Sequence, residues 1–564
     1  MEDGSKFVYL NDFGGEWAYD PKKPFAEGGK AQSWGKTIGG KEEWVWGGDV
    51  ARGVNLGGWL VTEPFICPGL YEKYLNNSNG VEIKDEWTLS LAMGSKLAQE
   101  MEEHYKTFIT ERDFAEIAAA GLNWVRIPIG FWAIETMNDE PFLEGVSWKY
   151  FLKAIQWGRK YGIRIYLDLH ALPGSQNGWN HSGKSGSVNF MNGVMGIANA
   201  QRTLTYLRIL TQFVSQDQYK DVVGIVGIVN EILWDTIGKD SVQSFYFAAH
   251  AAIRGSTGTG AGAGPYIAIH EGFQGVWVSI ACYSFLSGAD RVVLDQHPVL
   301  SWNRLYFHST WAIATNQSQK VFGVTVGGEF STAITDCGLW YVLNGIGSTP
   351  SNPDCSVWDD WKSYNASTID GLKQVTLATM DALQNFFFWT WKIGDSTVLG
   401  TSSSPLWHYR LGLQQGWIPK DPREAAGHCA AVLSSSQIFD GVYPSTATGG
   451  VGAIVWFDDG GANLTQAGAG TIDPAQATSH AFPPSTLSPS FSGTQISLLP
   501  TYTPTGTIKT LHAPTFTAAP SADVGDGWNN DADSGLAFVP VKGCQYPDAW
   551  NAVTAPLPTS TCTG

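Results

Sequence analysis

Short runs dense in β-branched and aromatic residues recur along the chain, separated by longer amphipathic stretches. The runs are RGVNLGGWLV (52–61), NWVRIPI (123–129), RIYLDLH (164–170), VVGIVGIVNE (222–231), PYIAIH (265–270), RVVLDQH (291–297), VFGVTVGGE (321–329) and NFFFWTW (385–391). Between them, SKLAQEMEEHYKTFITERDFAEIAAAG (95–121) and WKYFLKAIQWGRKYG (148–162) repeat apolar residues at i, i+3, i+4 and i+7, the spacing of one helical face. Strands alternating with helices predict a parallel sheet, and eight repeats predict its closure. The expected fold class is therefore α/β, a (β/α)8 TIM barrel.

Arg126, His170, Asn230-Glu231, His270-Glu271, His297, Glu329 and Trp391 lie at the C-terminal ends of their runs. In a βα-barrel those ends share one mouth. Two runs stop on a carboxylate, Glu231 and Glu329. Burying such a charge costs free energy unless it has a partner or a task. Paired carboxylates at a barrel mouth are the working parts of glycoside hydrolysis. Glu271 is a third carboxylate there, expected to make a supporting contact.

The alternation holds over 51–436 and stops outside it. Residues 1–50 are rich in Gly, Lys and Trp with little periodicity, and predict an extended arm packed on the barrel. Residues 437–564 turn to Ser, Thr, Pro, Gly and Ala. They predict an irregular, β-containing extension, with strands expected at GAIVWF (452–457) and QISLLP (495–500).

The chain has 564 residues, 43% of them hydrophobic, enough for a large core. Its net charge of −17 argues against nucleic acid or an anionic membrane as a partner. No apolar run reaches the roughly 18 residues of a membrane span. The start, MEDGSKF, has no basic and apolar leader pattern, which fits a cytosolic protein or a mature or recombinant form. Seven cysteines include no C-x-x-C pair, so zinc is not expected. Cys337 and Cys355 flank one loop and Cys544 and Cys562 another, as local bridges would. Sequons at Asn76, Asn316, Asn365 and Asn463 join them in predicting a secreted or cell-wall glycoprotein. The 25 tryptophans matter because the indole face matches the C–H face of a pyranose ring, although most such rings belong to the core.

RGVNLGGWLVTEPF, GLNWVRIPIGFWA, LDLHALPGSQNG, the Asn230-Glu231 pair, GGEFSTAITDC and FFFWTWK together resemble the fungal exo-β-1,3-glucanases of glycoside hydrolase family 5. The resemblance covers roughly 50–430. Beyond it, LPTYTPTGTIKTL resembles the extension of basidiomycete members. The resemblance implies Glu231 as general acid/base and Glu329 as nucleophile of a retaining reaction. It implies that Arg126, His170, Asn230 and His297 surround the sugar at the cleavage point. It also implies that Glu63 grips hydroxyls and that Trp391 is the aromatic platform.

Four positions depart from the family pattern. Ile232 replaces the Pro after the acid/base, and Val299 a Tyr after strand six. Trp179-Asn180-His181 replaces Phe-Asp-Asn, and Leu172 a Gly. The changed loop lies on the acceptor side, where Trp179 and Asn180 are expected to line the substrate cleft. Asn180 is formally a sequon, but a glycan there would block the cleft. The expected protein is a monomeric β-glucosidase that takes glucose from non-reducing ends of β-1,3-glucan, able to transglycosylate, with no metal or cofactor. Its rivals are a β-1,6-glucanase, a wall-remodelling transglycosylase and a silent glucan-binding protein.

Overall fold

The computed structural model describes the chain except residues 1–3, 26–32, 40–43, 77–81, 138, 261–262, 275–285, 287–288, 299–314, 317, 321, 336, 339–354, 430–441, 443–471, 473, 512–532 and 562–564. Eight parallel strands close into a barrel in sequence order. They are β1 (Arg52–Asn55), β2 (Trp124–Gly130), β3 (Arg164–Ala171), β4 (Val223–Gly227), β5 (Tyr266–His270), β6 (Val292–Gln296), β7 (Thr325–Phe330) and β8 (Phe386–Phe388). All eight coincide with the predicted runs, with β2, β3 and β7 each extending one residue past its run. β8 pairs with β1, Phe387 opposite Gly53, and closes the ring.

The lower half of the barrel is packed with inward rings and branched side chains: Trp124, Tyr166, Ile225, Val293, Val326 and Phe387. Large rings need small neighbours. A Cβ at Gly53 would stand 2.5 Å from Phe387 Cδ1, so β1 contributes space here rather than a side chain. Trp44 and Trp46 of the N-terminal segment pack edge-on and tilted against Trp124 and cap this layer. The same segment is tied down by Arg164, which donates to the carbonyls of Lys36 (3.0 Å) and Thr37 (3.2 Å).

Around the strands lie helices that include Val146–Tyr161, Gly196–Val214, Lys239–Thr257 and Ala366–Leu383. The stretch 95–121 is not one helix but two, Leu97–Thr107 and Glu111–Ala119. Thr110 ends the run: its amide and hydroxyl both donate to Asp113 Oδ2 at 2.9 Å, a capping box that periodicity does not reveal.

In the C-terminal segment QISLLP is not a strand; Gly493–Leu498 forms a 3-10 turn. Described strands there are Thr486–Leu487 with Phe491–Ser492, and Tyr502–Gly506 with Ala537–Pro540. GAIVWF lies outside the described residues. Cys337 and Cys355 form the expected bridge. Cys544 is also disulfide-bonded, while Cys562 lies outside the described residues. Among the described residues no helix is long and apolar enough to cross a membrane.

One C-terminal stretch matters for the barrel mouth. Trp550 is buried among Trp87, Phe131 and Phe142, and its indole N–H donates to Glu140 at 2.9 Å. Asn189 donates to the Trp550 carbonyl and accepts the Ala552 amide, each at 2.8 Å. Asn199 holds the Ala549 carbonyl at 2.9 Å. Asn189 belongs to the long loop after β3, so the C-terminal segment buttresses the loop that carries Trp179 to His181. Trp550→Ala should therefore cost about 3–5 kcal/mol of stability. The checks are a lower thermal midpoint and faster proteolysis within 172–195. An unchanged midpoint would show that this ring anchors nothing.

Candidate active site

Arg126 stands at the centre of the upper barrel, on an inward position of β2, and is buried. Its guanidinium fork satisfies five groups from five different segments. Nη1 donates to Glu329 Oε1 at 2.6 Å and to Asn55 Oδ1 at 3.0 Å. Nη2 donates to Asn230 Oδ1 at 2.7 Å and lies 3.0 Å from Asp168 Oδ2. Nε is 3.8 Å from Asp295 Oδ2. A planar fork with fixed donors does this; an ammonium would not.

Three of these partners, Asn55, Asp168 and Asp295, were not predicted from the sequence; the two aspartates could have been. The signal was present. Asp168-Leu169-His170 and Asp295-Gln296-His297 are the same D-x-H pattern on β3 and at the end of β6. Period two puts each pair on one inward face. Asp168 Oδ2 accepts His170 Nδ1 at 2.6 Å, and Asp295 Oδ2 lies 3.5 Å from His297 Nε2. Tyr166 donates to Asp295 at 2.6 Å. Space for the Asp295 carboxylate comes from Gly328, where a Cβ would lie 2.0 Å from Oδ1. That explains a glycine immediately before Glu329.

Burial lowers the His170 pKa to about 4 against the pull of Asp168. His170 is thus neutral, with Nδ1–H on Asp168 and Nε2 turned to Asn230 Nδ2 at 3.4 Å. Burial would raise Asp295, but His297 and Arg126 outweigh it and bring its pKa to about 2. Burial pushes Glu63 up to about 8, so its carboxyl is protonated at neutral pH and able to donate.

Glu231 has φ +47°, a conformation that costs a side-chain residue about 1 kcal/mol or more. The loop after β3 holds it there. Gln176 donates to the carbonyls of His170 (2.7 Å) and Asn230 (2.9 Å), and Asn177 to that of Glu231 (3.2 Å). The Glu231 side chain lies between two imidazoles. His297 Nδ1 is 2.9 Å from Oε1 and His181 Nε2 is 3.0 Å from Oε2. Burial raises its pKa, but these two hydrogen bonds outweigh that and set it well below the usual carboxylate range. Glu329 moves the opposite way. Burial pushes it up to about 7 against His297 and Arg126, with the charge on Glu231 acting in the same direction as burial.

The two carboxylates face one another across His297. Its Nδ1 lies 2.9 Å from Glu231 Oε1 and 3.7 Å from Glu329 Oε1, so these oxygens are at most the sum of those distances, 6.6 Å, apart. Burial disfavours charge on His297, but Glu329, Asp295 and Glu231 outweigh it and hold its pKa well above the ordinary value. Glu231, His270 and His297 bring one potential donor atom each within 4.8 Å of one another. Of the three, Glu231 and His297 share a hydrogen bond of 2.9 Å, while His270 Nε2 is buried without a partner among the described residues. Both Glu231 oxygens meet imidazoles, and His270 Nδ1 accepts the Gly272 amide at 3.0 Å.

The predicted residues Glu63, Arg126, His170, Asn230, Glu231, His297 and Glu329 therefore converge. Trp179 is half-buried on the rim, with ring centroids 5.7 Å from Phe273 and 5.6 Å from His181. Asn180 is 4% exposed, which leaves no room for a glycan; its neighbour His181, not predicted as a site residue, reaches Glu231. Trp391 is placed differently from expectation. It is 1% exposed and its indole N–H donates to Asp113 at 3.0 Å, in the helix layer. The ring on the site side is Trp389, stacked on His170 at 5.6 Å and 8°. β8 ends at Phe388, so strand alternation no longer governs these positions. Glu271 gives its amide to Asp295 O (3.0 Å). Leu172 and Ile232 are buried in the core; Val299 lies outside the described residues.

Residues 89–277 match the family model described as Cellulase (glycosyl hydrolase family 5). The barrel belongs to glycosyl hydrolase family 5. Curated relatives bear the name probable glucan 1,3-beta-glucosidase D. That of Neosartorya fischeri is 35% identical over 425 residues, 67% of this chain and 48% of its own length. That of Aspergillus niger is 32% identical over 438 residues, 70% of this chain and 50% of its own. The chain thus spans about half the length of the curated relatives it matches. Among solved structures, AoRut (19% identity, TM-score 0.52) and the rutinosidase from Aspergillus niger (18%, TM-score 0.51) each cover 67% of this chain. The match covers 99% and 100% of their own chains, and they share this barrel fold.

Removing the central cation would take the guanidinium from Asp168, Asp295 and Glu329 at once. Arg126→Met should lose about 3–5 kcal/mol near neutral pH. A carboxyl with a depressed folded pKa stabilises above its unfolded pKa, near 3.9, and loses that as pH falls towards about 2. The gap between wild type and variant in thermal unfolding should thus narrow below about pH 4. A gap independent of pH would refute the charge account.

Proposed function

We propose that this protein is a retaining β-glucosidase that releases glucose from the non-reducing ends of β-1,3-glucan. The observation that carries this reading is the carboxylate pair bridged by His297. Its ceiling of 6.6 Å, reached only if the three atoms are collinear, favours direct attack over an interposed water. Retaining pairs stand about 5–5.5 Å apart and inverting pairs about 6.5–9.5 Å. The linkage comes from the relatives' printed name, glucan 1,3-beta-glucosidase.

Glu329 attacks the anomeric carbon while Glu231 protonates the departing oxygen. Attack needs Glu329 ionised and Glu231 protonated. These two conditions reinforce each other. A proton on Glu231 removes the negative charge that raises Glu329, and the 2.6 Å contact with Arg126 then favours the Glu329 carboxylate. Once Glu329 is glycosylated, Glu231 loses that negative neighbour and accepts a proton from water, or from a sugar hydroxyl in transglycosylation. Protonated Glu63, neutral His170 and Asn230 are placed to hydrogen-bond sugar hydroxyls. Trp389 supplies the flat apolar face. The Cys337–Cys355 bridge fits residence in an oxidising compartment, outside the cytosol.

Purified protein should release glucose from laminarin, and the first product seen by ¹H NMR should be the β-anomer. Glu231→Gln and Glu329→Gln should each lower kcat by about 10³-fold or more. A first-formed α-anomer would refute retention, and unaltered turnover in either variant would remove that residue from the chemistry. Trp389→Ala should raise KM, whereas Trp391→Phe should lower thermal stability and leave KM in place.

A further inference from the structure

We propose that His181 is the proton partner of Glu231, a positioning residue that shares one proton with the acid/base and so sets the alkaline edge of activity. This rests on the role given to Glu231 above. Three observations carry it. His181 Nε2 and Glu231 Oε2 are 3.0 Å apart and both residues are buried, so their hydrogen bond is shielded from water. The loop that presents His181 also clamps the Glu231 backbone through Asn177 and that of Asn230 through Gln176. His181 Nδ1 is buried without a hydrogen-bond partner, so nothing on the far side of the ring stabilises a full imidazolium. A proton on this pair therefore has two neighbouring resting places.

With the proton on Nε2, the pair is imidazolium and carboxylate. With the proton on Oε2, it is a neutral imidazole, its remaining hydrogen on Nδ1, accepting from a carboxylic acid. Only the position of one proton differs, and the total charge is unchanged. The second form is the one that can protonate a leaving oxygen. Water attacking the glycosyl-enzyme then returns a proton to Glu231, and the pair is restored. The charged and titratable groups around it are Glu63, Arg126, His170, His270, His297 and Glu329. His297, on the other Glu231 oxygen, also meets Glu329 and Asp295. His181 makes its ion-pair contact with Glu231 alone among the described residues.

The sign of the consequence is fixed by the equilibrium. Losing the last proton from a pair is harder than losing it from Glu231 beside a neutral side chain, because the pair has an additional protonated form. Removing the basic ring must move the alkaline limb of kcat/KM to lower pH. A tenfold preference of the proton for His181 shifts it by about one unit. The test measures pH profiles of kcat/KM on laminaribiose for wild type, His181→Asn and His181→Gln. Gln keeps a donor near the Nε2 position but cannot carry the proton. Both variants should shift the limb acidward. Profiles that fall uniformly, with the limb in place, would show a merely structural role and overturn the proposal.

A second measurement leaves residue 181 intact. In ¹⁵N-histidine NMR titrations, Glu231→Gln should lower the His181 pKa, because a neutral amide replaces its carboxylate. An unmoved His181 pKa overturns the proposal as well. If Glu231→Gln stays active on glucan while the His181 pKa drops, the pairing stands and the acid/base role of Glu231 falls.

Discussion

A single buried guanidinium organises the mouth of this barrel. Arg126 sits buried among Asp168, Asp295 and Glu329, and each neighbour would be costly to bury without it. A buried ion cluster is weak support for stability by itself, since apolar replacements often fold as well. Its value here is positional. Five hydrogen-bonding or ionic partners from β1, β3, β6, β7 and the segment after β4 must adopt one arrangement to satisfy one planar fork. That arrangement places Glu329 opposite Glu231.

The remaining chemistry is a matter of where a few protons rest. His170 is neutral and Asp295 ionised, each for a local reason of burial and partner. Glu231, Glu329, His181 and His297 form a coupled set in which moving one proton changes the affinity of the others. The C-terminal segment enters this account indirectly. Through Trp550 and the two asparagines that grip its backbone, it supports the loop that supplies His181, Gln176 and Asn177. A region rich in Ser, Thr, Pro, Gly and Ala thus braces the loop that holds the backbone at Glu231.

The barrel was legible in the sequence because buried parallel strands write themselves as apolar runs, and all eight did. The carboxylates were legible because each terminates such a run. Other features were not, for identifiable reasons. Asp168 and Asp295 lie inside strands, two residues before a histidine, and their shared D-x-H pattern has meaning only once both strands face the same cation. Trp389 and Trp391 have the same type and differ only in which layer they meet, a distinction lost where β8 stops. His181 stood in a loop that departed from the family pattern, and nothing in one dimension shows that it would point at Glu231 while Asn180 would not. The capping box at Thr110 splits a stretch whose apolar spacing reads as continuous.

The central claim is that Glu329, held by Arg126, forms the covalent bond to sugar. Incubation with 2-deoxy-2-fluoro-β-glucosyl fluoride, followed by peptide mass mapping, tests it directly. The account predicts one added fluoroglucosyl group per chain, on the peptide containing Glu329, and none in Glu329→Gln. A label on Glu231 or Glu63, or prompt hydrolysis to the α-anomer with no labelled enzyme, would contradict it.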